Sequence, residues 1–305
     1  MTNSVQSPKK KWLTIQRKQN LTGWIFLLPG TLLICWMSFY PMIRAFIVSL
    51  MRGKPTALEF SEPLWRNYQR MFMDNVFIQS LKNTFTYLII QVPVMLVLAL
   101  IFASLLNRKD LKFRGLFRTC IFLPCATALV SYSIIFRTLF AYDGFINAIL
   151  QNLHLISEPI NWLNDPNGAK AVIILALIWR WTGYNMVFYL SAMQSIDYSV
   201  YESARIDGAS SLTQLTKITI PLLKPIILVT AIMSTNGTLQ LYDESVNLTN
   251  GGPSNTTITM SHYIYNNSLG QGVANFGYAS ALAFIVFILV AVLAFINMKV
   301  GDTRD

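Results

Sequence analysis

Six apolar stretches, each about as long as a bilayer core is thick, dominate this 305-residue chain. A helix needs about 20 apolar residues to cross a hydrocarbon layer of about 30 Å. The stretches fall at about 22–50, 83–106, 119–140, 171–193, 225–242 and 276–298. Lipid offers no partner for a backbone N–H or C=O, so each is expected to form a helix that satisfies its own hydrogen bonds. The fifth is the least apolar, with Ser234, Thr235, Asn236, Gly237 and Thr238 in its middle. The first is too long for a cleavable leader, and no small-residue cleavage site follows it. The expected fold class is all-α, a polytopic membrane protein with about six transmembrane helices set in a lipid bilayer.

Charge then orients the chain. Only 12% of residues are charged, about half the usual soluble share of roughly 25%. The net charge of +10 does not point to nucleic acid, because Lys and Arg lie beside apolar spans and no basic stripe interleaves with aromatics. Lys9, Lys10, Lys11, Arg17 and Lys18 crowd the first 21 residues, and Arg108, Lys109, Lys112, Arg114 and Arg118 fill the 107–118 loop. With three more in 195–224 and two in the tail after residue 298, one side collects fifteen against six on the other. Basic loops stay inside. Both termini are therefore expected in the cytoplasm. The chain divides into a basic tail (1–21), a transmembrane domain (22–298) with a cytoplasmic loop at 195–221, and a C-terminal tail (299–305). Cys35, Cys120 and Cys125 all lie in or beside apolar runs and read as small hydrophobes. His154 and His262 are isolated in sequence, so no metal site is expected.

The segment between the fourth and fifth stretches, IDYSVYESARIDGASSLTQLTKITIPLLKP, is built differently. Ser199 and Glu202 have the spacing of a capping box, which predicts a helix starting at Val200. Gly208 is the natural residue to stop it in a left-handed turn, and a second start follows at Ser210 or Ser211. The product is a short, rigid helix at the membrane surface. Tyr201, Ala204 and Ile206 would offer a partly apolar contact surface edged by Glu202, Arg205 and Asp207. An ordinary interfacial helix would look the same from local physics alone.

The same residues carry a family likeness. Glu202-Ser203-Ala204, Asp207-Gly208-Ala209, Ile218 and Ile220-Pro221 resemble the EAA motif of binding-protein-dependent ABC importer permeases. That motif reads E-A-A, a glycine four residues on, then I-x-L-P; here Ser replaces the middle Ala and Ile replaces Leu. Leu248-Thr249-Asn250-Gly251-Gly252-Pro253, Tyr263-Ile264-Tyr265 and Phe276-Gly277-Tyr278-Ala279-Ser280-Ala281 are similar to the outer loop and last span of the maltose-type, oligosaccharide branch. Trp179-Arg180-Trp181-Thr182-Gly183-Tyr184 is a third match, and the likeness covers roughly residues 20–300. It implies the ABC importer permease fold in a bacterial plasma (inner) membrane. It also implies that Tyr201, Glu202, Ser203, Ala204, Asp207, Gly208, Ala209 and Pro221 couple the chain to an ATPase. The implied partners are a second homologous permease, two cytoplasmic ABC ATPase subunits and an extracytoplasmic sugar-binding protein. No G-x-x-x-x-G-K-[ST] sequence occurs in the chain. ATP and magnesium would accordingly be held by the ATPase subunits; this chain would bind no cofactor and catalyse no reaction.

Solute would cross between the two permeases, past the few polar residues of the spans. Tyr184 and Asn185 in the fourth stretch, with Asn236, Gln240 and Tyr242 in the fifth, suit a neutral sugar. Aromatic faces stack on pyranose rings, and amides bond their hydroxyls. The same side chain types also serve as glue between membrane helices. Arg180, costly in mid-span, faces either the cavity or an acid such as Asp243 or Glu244. It keeps open a permease for another solute, such as a phosphorylated polyol, since a guanidinium fork binds phosphate well. An ion-driven secondary transporter would want internal repeats and acids inside the spans, and neither is apparent. A membrane scaffold that transports nothing would have little use for the capped loop helix.

Overall fold

A computed structural model describes residues 15–54, 57–108, 110–270 and 274–301. Lys9, Lys10, Lys11 and Lys109 of the basic clusters lie outside the described residues. Among the described residues, five helices are long and apolar enough to cross a membrane: Gln19–Ser49, Asn75–Asn107, Pro166–Gln194, Ser211–Leu239 and Phe276–Lys299. These are the first, second, fourth, fifth and sixth spans. The expected third span is not one helix. It is a pair, Arg114–Ala126 and Leu129–Leu139, bent by 100°. Pro124 cannot donate its backbone nitrogen inside the first of these helices. Thr127 closes the turn on Pro124 O at 3.3 Å, and Ala128 adopts ψ 137°.

One other expectation shifts. The all-α reading meets one small exception, an antiparallel hairpin of β1 (Met51–Lys54) and β2 (Ala57–Phe60). Asp165-Pro166-Asn167-Gly168, whose composition suits a turn, is the start of the fourth span. Asp165 Oδ2 accepts from Gly168 N at 2.6 Å, and Pro166 takes the first helical position, where its missing N–H costs nothing. A short helix, Phe145–Asn152, lies between the third and fourth spans.

The second and fourth spans form the heart of the bundle. Ala99 and Ala103, four residues apart on the second, are fully buried and cluster with Met186, Tyr189, Leu190 and Met193 of the fourth. Inside lipid, such helices associate through close packing of small residues and not through water exclusion. Tyr189 Oη meets Thr230 Oγ1 of the fifth span at 2.8 Å, a bond that needs no solvent. The first span is the outlier, with Trp24 and Phe26 at 70% and 82% exposure, as a helix facing lipid or a partner would be. It reaches the sixth span only near its end, where the Phe46 and Phe284 rings sit 4.8 Å apart.

At the N-terminal end of the second span, Asp74 is a four-bonded cap. Its Oδ1 accepts from Val76 N and Phe77 N at 2.9 and 3.2 Å, and its Oδ2 from the Tyr263 and Tyr278 hydroxyls at 2.6 and 2.7 Å. Burial alone would raise this carboxyl; the four donors outweigh it and hold the group below its ordinary range. Both tyrosines come from the segment that carries the second family likeness. That segment therefore clasps the second span.

Candidate functional site: a coupling loop and a membrane cavity

The loop between the fourth and fifth spans folds into a helix, Tyr198–Ile206. It starts two residues earlier than the Ser199/Glu202 spacing predicts. Asp197 is the cap, its Oδ1 accepting from Ser199 N at 3.0 Å, so Ser199 is already helical. A carboxylate is the better cap because it also answers the positive end of the helix dipole. The backbone bond from Ser199 holds the Asp197 carboxyl below its usual range.

The helix stops where expected. Gly208 takes φ +79°, its N–H reaching Arg205 O at 3.0 Å while Ala209 N reaches Ala204 O at 2.8 Å. These are the two bonds of a Schellman turn, which only a residue tolerant of the left-handed region closes without strain. Ser210 then caps the next helix through Thr213 N at 3.2 Å, and Gln214 Nε2 returns to Ala209 O at 2.8 Å. Pro221 lies exposed at the N-terminal end of the main helix of the fifth span, Ile220–Leu239.

Which face the helix presents differs from the sequence reading. Tyr201 turns inward, its hydroxyl meeting Thr219 Oγ1 at 3.0 Å, and Ala204 is buried. Of the three residues expected to form a contact surface, Ile206 is the one that projects, at 83% exposure. Glu202, Ser203, Asp207 and Gly208 are exposed beside it; Ala209 is half-buried. Tyr201 is thus the tie between loop helix and fifth span.

A second feature lies among the spans. A cavity of about 490 Å³ is bounded by the second, fourth and fifth spans, by Leu129 of the broken span, and by the turn 240–244. Tyr184, Asn185, Gln240 and Tyr242 all line it. Tyr184 is held edge-on between Trp181 and Phe188, at 5.8 and 5.0 Å. Asn185 is part of the wall and already committed, its Nδ2 donating to Trp181 O at 3.0 Å. Gln240 and Tyr242 lie just past the helix end at Leu239, and not within the span as expected. Asn236 is not among the lining residues, and its Oδ1 is buried with no hydrogen bond.

The sequence reading passed over Gln91. It sits at 2% exposure on the cavity wall, its Oε1 accepting from Thr238 Oγ1 at 3.0 Å and its Nε2 directed at Met95 Sδ. The signal was present, since Gln91 is a lone amide in the apolar run LIIQVPVML. Below the cavity turn, Asn250 and Gly251 take φ +50° and +76°. Buried Ser245 holds this loop, donating to Thr257 O at 3.0 Å and meeting His262 Nδ1 at 2.9 Å.

Residues 95–300 match the family model of the binding-protein-dependent transport system inner membrane component. The chain belongs to this family. As an inner membrane component it is a multi-pass membrane protein and a transporter permease, as its relatives are. It is 47% identical to the lactose transport system permease protein LacF of Rhizobium radiobacter, over 95% of this chain and 97% of that one. It is 32% identical to the arabinooligosaccharides transport system permease protein AraP of Halalkalibacterium halodurans, over 91% of this chain and 87% of that one. A bacterial ABC transporter involved in the import of the acidic polysaccharide alginate shares the permease's fold, with a TM-score of 0.80 at 23% identity. That match covers 94% of this chain and 97% of the other.

Proposed function

We propose that this permease moves a saccharide into the cytoplasm by alternating access, driven by two ATPase subunits, one of which receives the Tyr198–Ile206 helix. Its cavity would be completed by a second, homologous permease, and solute would arrive on an extracytoplasmic binding protein. The observation that carries the reading is the cavity wall. Trp181 and Tyr184 offer aromatic faces, and Gln240 offers an amide, in one space of about 490 Å³. The lactose and arabinooligosaccharide names of the relatives support the same solute class. For coupling, the support is a helix fixed at its start by Asp197, at its stop by Gly208, and tied to the fifth span through Tyr201 and Thr219. A rigid element passes motion on without bending. ATP and magnesium would stay with the ATPase subunits.

The solute reading is tested by ATP-dependent uptake of radiolabelled lactose and larger oligosaccharides into proteoliposomes holding the whole transporter, with binding protein inside the assay. Absence of uptake for every saccharide offered would remove it. Gln240→Ala deletes one hydrogen bond to solute, about 1 kcal/mol, and should weaken apparent affinity several-fold with ATPase assembly intact. Asn236→Ala removes an oxygen that has no partner among the described residues and should change affinity by less than about twofold. Equal effects of the two would place the solute elsewhere.

Orientation has its own test, motivated by the charge count. Reporter fusions after Asp110 and near Gly208 should report cytoplasm, and fusions near Asn161 and Pro253 the outside. A cytoplasmic signal at Pro253 would overturn the arrangement.

A further inference from the structure

Three side chains with formal charge line the cavity: Arg180, Asp243 and Glu244. On sequence alone Arg180 suits an anionic solute, and that kept a phosphorylated one open. The structure surrounds it differently. Glu244 is buried at 4% exposure and lies close enough to interact with both Arg180 and Asp243, while Asp243 is exposed at the same turn. The Arg180 guanidinium stacks on Tyr132, 4.7 Å from the ring centroid, and lies 5.5 Å from that of Trp181. The Tyr132 hydroxyl stands between Arg180 and Glu244, in the field of both, with no hydrogen bond of normal geometry.

Two consequences follow. With Arg180 and Asp243 ionised the cavity wall holds one positive and one negative charge, and Glu244, which burial pushes toward its neutral form, adds a second negative charge whenever it ionises. An entering carboxylate, sulfonate or phosphate would meet Arg180 only where these carboxylates repel it. Meanwhile Arg180 Nε and Nη1 are buried with no partner, which is unusual enough to require a role. Among the described residues no carboxylate forms an ion pair with them. A neutral hydroxyl oxygen can accept from these donors without adding charge.

We propose that Asp243 and Glu244 make this cavity selective for uncharged saccharides, with Arg180 serving as a hydroxyl donor and not as an anion clamp. The proposal rests on the saccharide reading and names its class. Charge preference then resides in a few side chains and not in the fold, since a transporter for an acidic polysaccharide shares this architecture.

The test compares two probes that differ by one phosphoryl group, lactose and lactose 6-phosphate. Binding to the purified, fully assembled transporter is read without its binding protein, by saturation-transfer NMR and by the fluorescence of Trp181 at the cavity wall. Wild type should prefer lactose by at least about tenfold. Asp243→Asn together with Glu244→Gln keeps shape and hydrogen-bonding capacity while removing both negative charges. It should narrow the preference by about tenfold or reverse it, with a monodisperse, fully assembled transporter certifying the fold. Arg180→Gln should weaken lactose in the wild-type background. Tighter binding of lactose 6-phosphate by wild type, lost in Arg180→Gln, would make Arg180 an anion clamp and overturn the proposal. An unchanged preference in the double variant would overturn it too. Failure of both probes to bind would instead strike at the saccharide reading.

Discussion

Gly208→Val is expected to abolish uptake while the permease still inserts in the membrane. Gly208 sits at φ +79°, where a β-branched side chain collides with its own backbone. Left-handed backbone costs even an ordinary residue about 1–2 kcal/mol. An added Cβ would touch nothing within 4 Å, so the chain's interior is not disturbed and the damage stays local. That local damage is the loss of the Gly208–Arg205 and Ala209–Ala204 bonds, which fix where the helix ends and where the Ser210–Gln214 turn departs. Ile206 and the exposed edge of Glu202 and Ser203 would then point elsewhere, and a docked ATPase would lose its contact. Gly208→Ala should show a weaker version of the same defect. Asp197→Ala, which removes the cap on Ser199 N, should impair coupling more than Glu202→Ala, because Glu202 is exposed and caps nothing. Co-purification of the ATPase and binding-protein-stimulated ATP hydrolysis in membranes are the readouts. Full stimulation with normal uptake in Gly208→Val would reduce this segment to an ordinary surface helix.

What the residues disclose in advance depends on whether a feature is local. The spans are legible because water and lipid sort residues by hydrophobicity before any packing begins, and five of six stand as unbroken helices. Gly208 is legible because few residues other than glycine end a helix this way. The cap was misplaced for an equally local reason: the S-x-x-E spacing drew attention from Asp197, whose carboxylate is nearer the end of the preceding span and captures Ser199 N first. Tertiary facts were out of reach. Nothing in Tyr201 says that its hydroxyl will find Thr219, eighteen residues on, and turn the ring from the exposed face. Gln91 was overlooked because its role depends on Thr238, brought to it from 147 residues away. The 100° break is the hardest case. Pro124 marks weakness in the helix, but the neighbour against which the first half packs is remote in sequence.

That neighbour is Gly183, and Gly183→Ala is expected to lower the stability of the assembled permease sharply. A Cβ built there would fall 2.0 Å from Ile121 O, 2.7 Å from Ile121 C and 2.9 Å from Phe122 Cα. All three are backbone atoms of the first half of the broken span, so no side chain rotation relieves the overlap. The fourth span and the Arg114–Ala126 helix must separate, and the loosened contact lies beside the Leu129 and Arg180 walls of the cavity. Overpacking a well-filled interior costs about 1–3 kcal/mol when side chains can shift, and a backbone collision belongs at or above the top of that range. Small residues at membrane helix contacts exist to permit such approach. Gly115→Ala supplies the control, since a Cβ at Gly115 meets nothing within 4 Å. In a thermal denaturation series on detergent-solubilised transporter, followed by size-exclusion chromatography, Gly183→Ala should lose its monodisperse peak several degrees below wild type and Gly115→Ala should not. Uptake should fall with it, because the cavity loses the helix that seats one of its walls. A Gly183→Ala permease as stable as wild type would show that the two backbones do not approach so closely, and the bent third span would need another support.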